Sequence, residues 1–349
     1  MAMKKLKLPL RKFIPAAIFL SVAGIIALVF VLIDCVSMPG HSYAGPLPPL
    51  LKSEAEIQNC MKRHVSMLAG TIGERNMGKF DKLVAAAAYI EKEFQRMGYT
   101  VKSQEYVLDG KTVRNLEVEL PGTTKPDEIV VVGAHYDSVP DCAGANDNAT
   151  GIAGVLELAR LLSTSKFPRT LRFVAFTNEE DPYFETPNMG SYHYATRCHA
   201  RHENVVGMLA VETFGYYSDK PGSQMLPPLC DWLYPNRGDF LWFVGNQDSK
   251  QLIHLCIDTF RKHSRFPSQG VSAPDWIEGV DWCDQLYFWE YGYPGLMVTD
   301  SAPYRYPYYH KPEDTPDKID YERTARVVSG LASVVRQMSS SQTSSESQI

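Results

Sequence analysis

Residues 129–134 read Ile-Val-Val-Val-Gly-Ala, with no polar position. A strand of this kind has no face to offer water, so it must lie inside a sheet covered on both sides. Residues 205–211 repeat the pattern, residues 171–176 do so apart from Arg172, and shorter apolar strands are predicted at 240–244 and 295–298. Two further strand-like stretches span 100–108 and 112–120. Between these runs the apolar period changes to that of a helix. Phe80, Leu83, Val84, Ala87, Ile90, Phe94 and Met97 form one stripe, which Gly98 closes. Helices are also expected near 150–162, 189–200, 249–261 and 321–338. Strands alternating with helices imply an α/β domain with a mixed, mostly parallel central sheet and helices on both faces.

The N-terminus adds a different element. Lys4, Lys5, Lys7, Arg11 and Lys12 precede an uncharged apolar run at 13–33. That length suits one transmembrane helix, and the basic cluster orients residues 1–12 toward the cytoplasm and the rest of the chain away from it. A cleaved signal peptide is the rival reading, with Ser42-Tyr43-Ala44 as a cleavage site, although the apolar core exceeds the usual length. Either way the domain is exported. Pro and Gly crowd the segment 34–53, which reads as an extended linker. Residues 54–338 make the main domain, and the Ser- and Gln-rich segment 339–349 reads as a disordered tail.

The net charge is −5, and no basic run lies beyond the extreme N-terminus, which argues against nucleic acid as a partner. Cys35 lies at the membrane edge; Cys60, Cys142, Cys198, Cys230, Cys256 and Cys283 lie beyond it without a Cys-x-x-Cys pair. An oxidising compartment permits disulfides, and Cys142–Cys198 is the pairing we expect. Nothing in the sequence fixes an oligomeric state.

In open α/β sheets, ligands sit outside the carboxyl ends of the strands, and metal-binding residue types collect there in this chain. The first buried strand runs into His135-Tyr136-Asp137, and Gly144-Ala145-Asn146-Asp147-Asn148 follows before a helix. The next runs into Asn178-Glu179-Glu180-Asp181, the third into Glu212, and the strand at 295–298 into a loop holding His310. Two imidazoles and three carboxylates are an ordinary zinc ligand set. Neighbouring side chains on extended backbone point opposite ways, so one of Glu179 and Glu180 can bind metal while the other faces water or substrate. Asp137, two residues from His135, suits a carboxylate that orients the imidazole. A Gly-x-Ser-x-Gly elbow is absent, which leaves a serine hydrolase unsupported. Trp276, Trp282 and Trp289 could wall an apolar pocket or pack in the core.

His135-x-Asp137, Gly144-Ala145-Asn146-Asp147-Asn148, Asn178-Glu179-Glu180, Glu212 in Val-Glu-Thr-Phe-Gly-Tyr, and Tyr309-His310 resemble the zinc aminopeptidases of metallopeptidase family 28. That family also holds glutamate carboxypeptidase and glutaminyl cyclase. The resemblance covers roughly residues 55–335. It implies the zinc exopeptidase fold, two Zn2+ ions and peptide substrates. By position, Asp147 bridges the ions, His135 and Glu212 complete one site, and Glu180 and His310 complete the other. Glu179 becomes the general base toward a water molecule, and the peptide bond after Asp147 is expected cis. A tyrosine from Tyr304, Tyr306, Tyr308 and Tyr309 could stabilise the oxyanion.

Two positions depart from the family: Glu212 stands where Asp is usual, and Cys283-Asp284-Gln285 stands where Ser-Asp-His is usual. A one-zinc glutaminyl cyclase and a non-catalytic ectodomain are the alternatives to an aminopeptidase on this fold.

Overall fold

A computed structural model describes residues 24, 26, 29–226 and 232–340. The chain divides after Ser37. In the first part, residues 29–36 are helical. Most of the apolar run at 13–33, the basic segment 1–12, Cys230 and residues 341–349 lie outside the described residues. Among the described residues, no helix is long and apolar enough to cross a membrane.

The second part is built on one eight-stranded sheet. Its strands are β1 (Lys102–Leu108), β2 (Lys111–Leu120), β3 (Lys125–His135), β4 (Arg169–Phe176), β5 (Asn204–Val211), β6 (Leu241–Gly245), β7 (Ser268–Ser272) and β8 (Gly295–Thr299). The spatial order is β1-β2-β4-β3-β5-β8-β6-β7. β4, β3, β5 and β8 are neighbours and mutually parallel, whereas β1, β2 and the β6–β8 pair introduce antiparallel contacts. The sheet is therefore mixed with a parallel centre, as the apolar runs predict.

Alternation along β3 shows why that strand carries no polar residue. Val130, Val132 and Ala134 enter one core, and Ile129 and Val131 enter the other. The larger core lies under α1 (Lys52–Val65), α2 (Phe80–Arg96), α3 (Gly151–Leu162), α5 (Lys250–His263) and α8 (Tyr321–Ser340). The smaller lies under α4 (Gly190–Ala200) and α6 (Leu286–Glu290), with Tyr194, Cys198 and Phe288 buried there. α4 is also tied to the sheet through charge: Arg197 and the Tyr194 hydroxyl both donate to Glu117, on β2. Arg172 beside them bonds Glu119 at 2.8 Å and Glu203 at 2.6 Å.

Several elements were not anticipated. Helix α1, strand β7 and the short helices α6 and α7 (Ala302–Arg305) are additions. β7 reads Ser-Gln-Gly-Val-Ser, with no apolar run; it closes the sheet edge by parallel pairing with β6. The closing helix continues to Ser340, so Ser339 and Ser340 are helical and the former is buried. The Pro-rich stretch before α1 is irregular but fastened to the domain. Arg261 donates to Pro39 O at 2.8 Å, Ser268 N to Ser42 Oγ at 2.9 Å, and Arg326 to Pro48 O at 2.6 Å.

The expected Cys142–Cys198 disulfide is overturned, since both are free buried thiols. Cys142 belongs to the loop after β3, near Asp314, whereas Cys198 sits on α4 beside Glu203 in the smaller core. Loop and helix lie in different surroundings that the sequence separation does not reveal.

Gly151, where α3 begins, approaches β5 so closely that a Cβ would lie 2.2 Å from Asn148 Oδ1 and 2.3 Å from Val211 O. Gly→Ala inside a helix ordinarily gains about 1 kcal/mol. Here the obstacles are a backbone carbonyl and a fully engaged amide, so overpacking wins. Gly151→Ala is expected to lose about 1–3 kcal/mol of stability, read as a lower urea midpoint at unchanged m-value.

Candidate metal centre

Register brings the chemistry together. In the parallel centre, His135 on β3 pairs with Phe176 on β4, Gly133 with Ala210 on β5, and Val211 with Val298 on β8. The residues that follow these levels, Glu179, Glu180 and Glu212, therefore emerge at the same sheet edge as His135.

The five candidate ligands form two groups that share one member. His135 Nε2 lies 3.3 Å from Asp147 Oδ1 and 3.1 Å from Glu212 Oε2. His310 Nε2 lies 3.1 Å from Asp147 Oδ2 and 3.3 Å from Glu180 Oε2. Asp147 thus turns one oxygen toward each group. Glu179 Oε2 stands 3.8 Å from His135 Nε2 and belongs to neither group. The Asp147–Asn148 peptide is cis, as expected.

Asp137 has a broader role than its spacing implies. Its Oδ1 is 3.5 Å from His135 Nδ1, but its hydrogen bonds come from the backbone N–H groups of Glu179 at 3.2 Å and Glu180 at 3.1 Å. It holds the turn that presents both glutamates, and it touches the imidazole only at longer range.

Three residues around the site escaped the sequence reading. Asp314 accepts the backbone N–H groups of Asn146 at 2.8 Å and Asp147 at 3.1 Å, together with the Tyr306 hydroxyl at 2.7 Å. Asp300 accepts from Asn146 Nδ2 at 3.0 Å and Tyr216 N at 2.8 Å. Arg75, fully buried, donates to the carbonyls of Tyr136, Ala143 and Gly144. Each is a single charged residue in a loop, with no periodic signal. Only their joint burial marks them as structural groups of the site.

Electrostatics follow from crowding in a dry place. Burial raises Glu179 well above the carboxylate range; His135 opposes this, and Glu180 and Glu212 add to it. Burial, then the charge of Asp147, pushes Glu180 up to about 8. Burial pushes Glu212 up to about 7. Burial disfavours a charged His135, but Glu212 and Glu179 outweigh it and raise the imidazole. Burial also works against an ionised Asp147, yet the neighbouring imidazoles of His135 and His310 hold it below its ordinary value.

The site opens on a cleft of about 170 Å³ lined by apolar side chains such as Trp242, Val244, Ile277, Val280 and Met297. The three tryptophans have different fates. Trp282 lines this cleft and stacks parallel to Tyr304, Trp276 is 77 % exposed, and Trp289 packs beside the smaller core with its indole N–H on Gly295 O. Of the four candidate tyrosines, Tyr306 is committed to Asp314, while Tyr309 lines the cleft and stacks on the His310 ring at 3.8 Å.

Residues 115–335 match the sequence pattern of Peptidase family M28. The chain belongs to peptidase family M28. It is 34 % identical to the uncharacterized protein YfbL of Escherichia coli over 285 residues, which cover 79 % of this chain and 86 % of that one. It is 26 % identical to aminopeptidase YwaD of Bacillus subtilis over 214 residues, 59 % of this chain and 40 % of the relative. The fold of this M28 chain is similar to that of BSAP, a zinc aminopeptidase from Bacillus subtilis. The TM-score is 0.66 at 16 % identity, covering 81 % and 95 % of the two chains. It is also similar to a glutaminyl cyclase from Fimbriiglobus ruber, with a TM-score of 0.61 at 21 % identity and 84 % and 99 % coverage.

Zinc is the family's metal, and the donors of this M28 chain fit it. Two ligands on a tetrahedral zinc with bonds of about 2.05 Å stand roughly 3.3 Å apart, and the four imidazole–carboxylate separations run from 3.1 to 3.3 Å. Asp147 Oδ1 and Glu180 Oε1 are buried without a hydrogen-bond partner in the protein, which is costly unless a cation meets them. Asp314→Ala removes the acceptor that fixes the backbone N–H groups of Asn146 and Asp147. It is expected to weaken zinc binding by about 10–100-fold, measured by competition against a chromophoric chelator.

Proposed function

We propose that this chain is a two-zinc aminopeptidase that removes residues from the free N-terminus of peptides. The observation that carries this reading is the pair of donor groups sharing Asp147, with Glu179 beside them and outside both. His135, Asp147 and Glu212 would hold one ion, and Asp147, Glu180 and His310 the other. Zinc held there supplies Lewis acidity, polarising a carbonyl oxygen and bringing the pKa of water to about 7.

The chain's own residues do the rest. Glu179 lines the cleft and is buried among carboxylates that raise its proton affinity. It takes a proton from the water that adds to the scissile carbonyl and delivers it to the leaving nitrogen as the C–N bond breaks. Tyr309 stands against the same carboxylates, and burial holds its phenol far above its ordinary pKa, so it remains a donor toward the developing oxyanion.

Charge favours an amine over a carboxylate as the recognised terminus. The cleft lining includes Asp147, Glu179, Glu180, Glu212 and Glu278, and no Lys or Arg among the described residues. With Asp147, Glu180 and Glu212 spent on the ions, Glu179 and Glu278 remain to face a substrate ammonium, and no protein cation in the lining faces a substrate carboxylate. The glutaminyl cyclase reading rests on a shared fold, and a measured stoichiometry near one zinc with cyclisation but no hydrolysis would favour it. We further propose that residues 13–33 anchor the chain in a membrane with the peptidase domain outside the cytoplasm. The basic cluster at Lys4–Lys12 followed by an uncharged apolar run supports this. Alkaline extraction that releases the intact chain from membranes would count against it.

The purified full chain is expected to bind close to two zinc ions. It should hydrolyse aminoacyl-anilides, lose that activity to chelators and regain it with zinc. Glu179→Gln should lower kcat by about 10²–10⁴-fold while metal content stays at the wild-type level. Full activity in that variant would remove Glu179 as the base. Tyr309→Phe should lower kcat by about 10²–10³-fold if it is an oxyanion donor, with substrate affinity little changed.

A further inference from the structure

Glu212 has a long, flexible side chain that must be restrained if its carboxylate is to stay in place. The restraint is visible at one oxygen. Glu212 Oε2 accepts from Asn148 Nδ2 at 2.8 Å and from Cys283 Sγ at 3.1 Å, and lies 3.1 Å from His135 Nε2.

Both donors are themselves held. The Asn148 amide is fully used: Nδ2 also donates to Val211 O at 2.9 Å, and Oδ1 accepts from Gly151 N at 2.8 Å and Thr213 N at 3.2 Å. Cys283 is completely buried. Its N–H donates to Asp281 O at 2.8 Å, and its carbonyl accepts from Leu286 N at 3.2 Å at the entry to α6. A neutral thiol has one proton to give, and Glu212 is the acceptor that it meets. Cys283 is not among the residues whose ligand atoms converge on either metal group, so its influence runs through Glu212.

We propose that Cys283 is a positioning residue for the His135–Asp147–Glu212 metal group. Its thiol and the Asn148 amide together pin one oxygen of the Glu212 carboxylate. This rests on the two-zinc reading above.

The test compares the full wild-type chain with Cys283→Ala and Cys283→Ser, reading zinc stoichiometry and Kd by chelator competition. In Cys283→Ala, one of the two zinc sites is expected to weaken by about 10–100-fold, while the other keeps its wild-type Kd. Cys283→Ser, which keeps a donor, should restore most of the lost affinity. Wild-type affinity at both sites in the alanine variant would overturn the proposal. So would equal weakening in the alanine and serine variants, which would make the sulfur a space-filler, or equal weakening of both sites, which would indicate general loosening. A wild-type chain that takes up no zinc, or only one equivalent, would instead overturn the two-zinc reading beneath it.

Discussion

One carboxylate stands between two imidazoles, and much of the surrounding structure keeps it there. Asp147 faces His135 with one oxygen and His310 with the other. It is 3 % exposed, in a segment whose backbone departs from helical geometry at Asp147 and Asn148. Buried backbone must be satisfied somewhere, and here charged side chains do it. Asp314 accepts from the N–H groups of Asn146 and Asp147, Arg75 donates to the carbonyls of Ala143 and Gly144, and Asp300 accepts from the Asn146 side-chain amide.

The two donor groups differ in how the fold presents them. His135 ends a central strand and is 1 % exposed, whereas the His310 side chain sits on a surface loop and is 35 % exposed. One group is built into the end of the sheet; the other is completed by a loop after β8 that also supplies Tyr304 and Tyr309 to the cleft. Position on the sheet thus sets rigidity on one side and access on the other. The apolar cleft wall from β6, β7 and β8 continues the smaller core outward, so substrate would meet a packed surface there.

Much of this was legible in the chain itself, for physical reasons. Uninterrupted apolar runs such as 129–134 can be satisfied only by a doubly covered sheet. Residues of one chemical type at successive strand ends can converge only if the strands are parallel. His135, Asp147, Glu180, Glu212 and His310 do converge. What was not legible depends on partners remote in sequence. Asp314 serves a segment 167 residues away, β7 becomes a strand because β6 offers it an edge, and Cys142 and Cys198 remain apart because loop and helix occupy different surroundings. Helix α1 is a different case. Ile57, Met61 and Val65 lie on one face at helical spacing, but the preceding Pro-rich stretch drew the boundary of the domain over its first turn.

The backbone itself carries part of the cost of the site. Asn178, Thr213, Ser301 and His310 all have positive φ, and each lies beside a residue of the centre or its cleft. For Asn this conformation is mild; for Thr213, β-branched and at φ 27, it is an outlier. Such residues cost about 1–3 kcal/mol each and persist only where surrounding contacts over-determine them. Thr213 meets that condition: its N–H bonds Asn148 Oδ1, its hydroxyl bonds Thr299, and its carbonyl accepts from Asp300 N. Asn148 therefore links the strained turn after Glu212, the carboxylate of Glu212 and the peptide that follows Asp147. One amide couples the backbone geometry of β5's exit to the placement of donors in the group that joins Asp147, His135 and Glu212. A change at any of these positions alters a hydrogen bond that holds another of them.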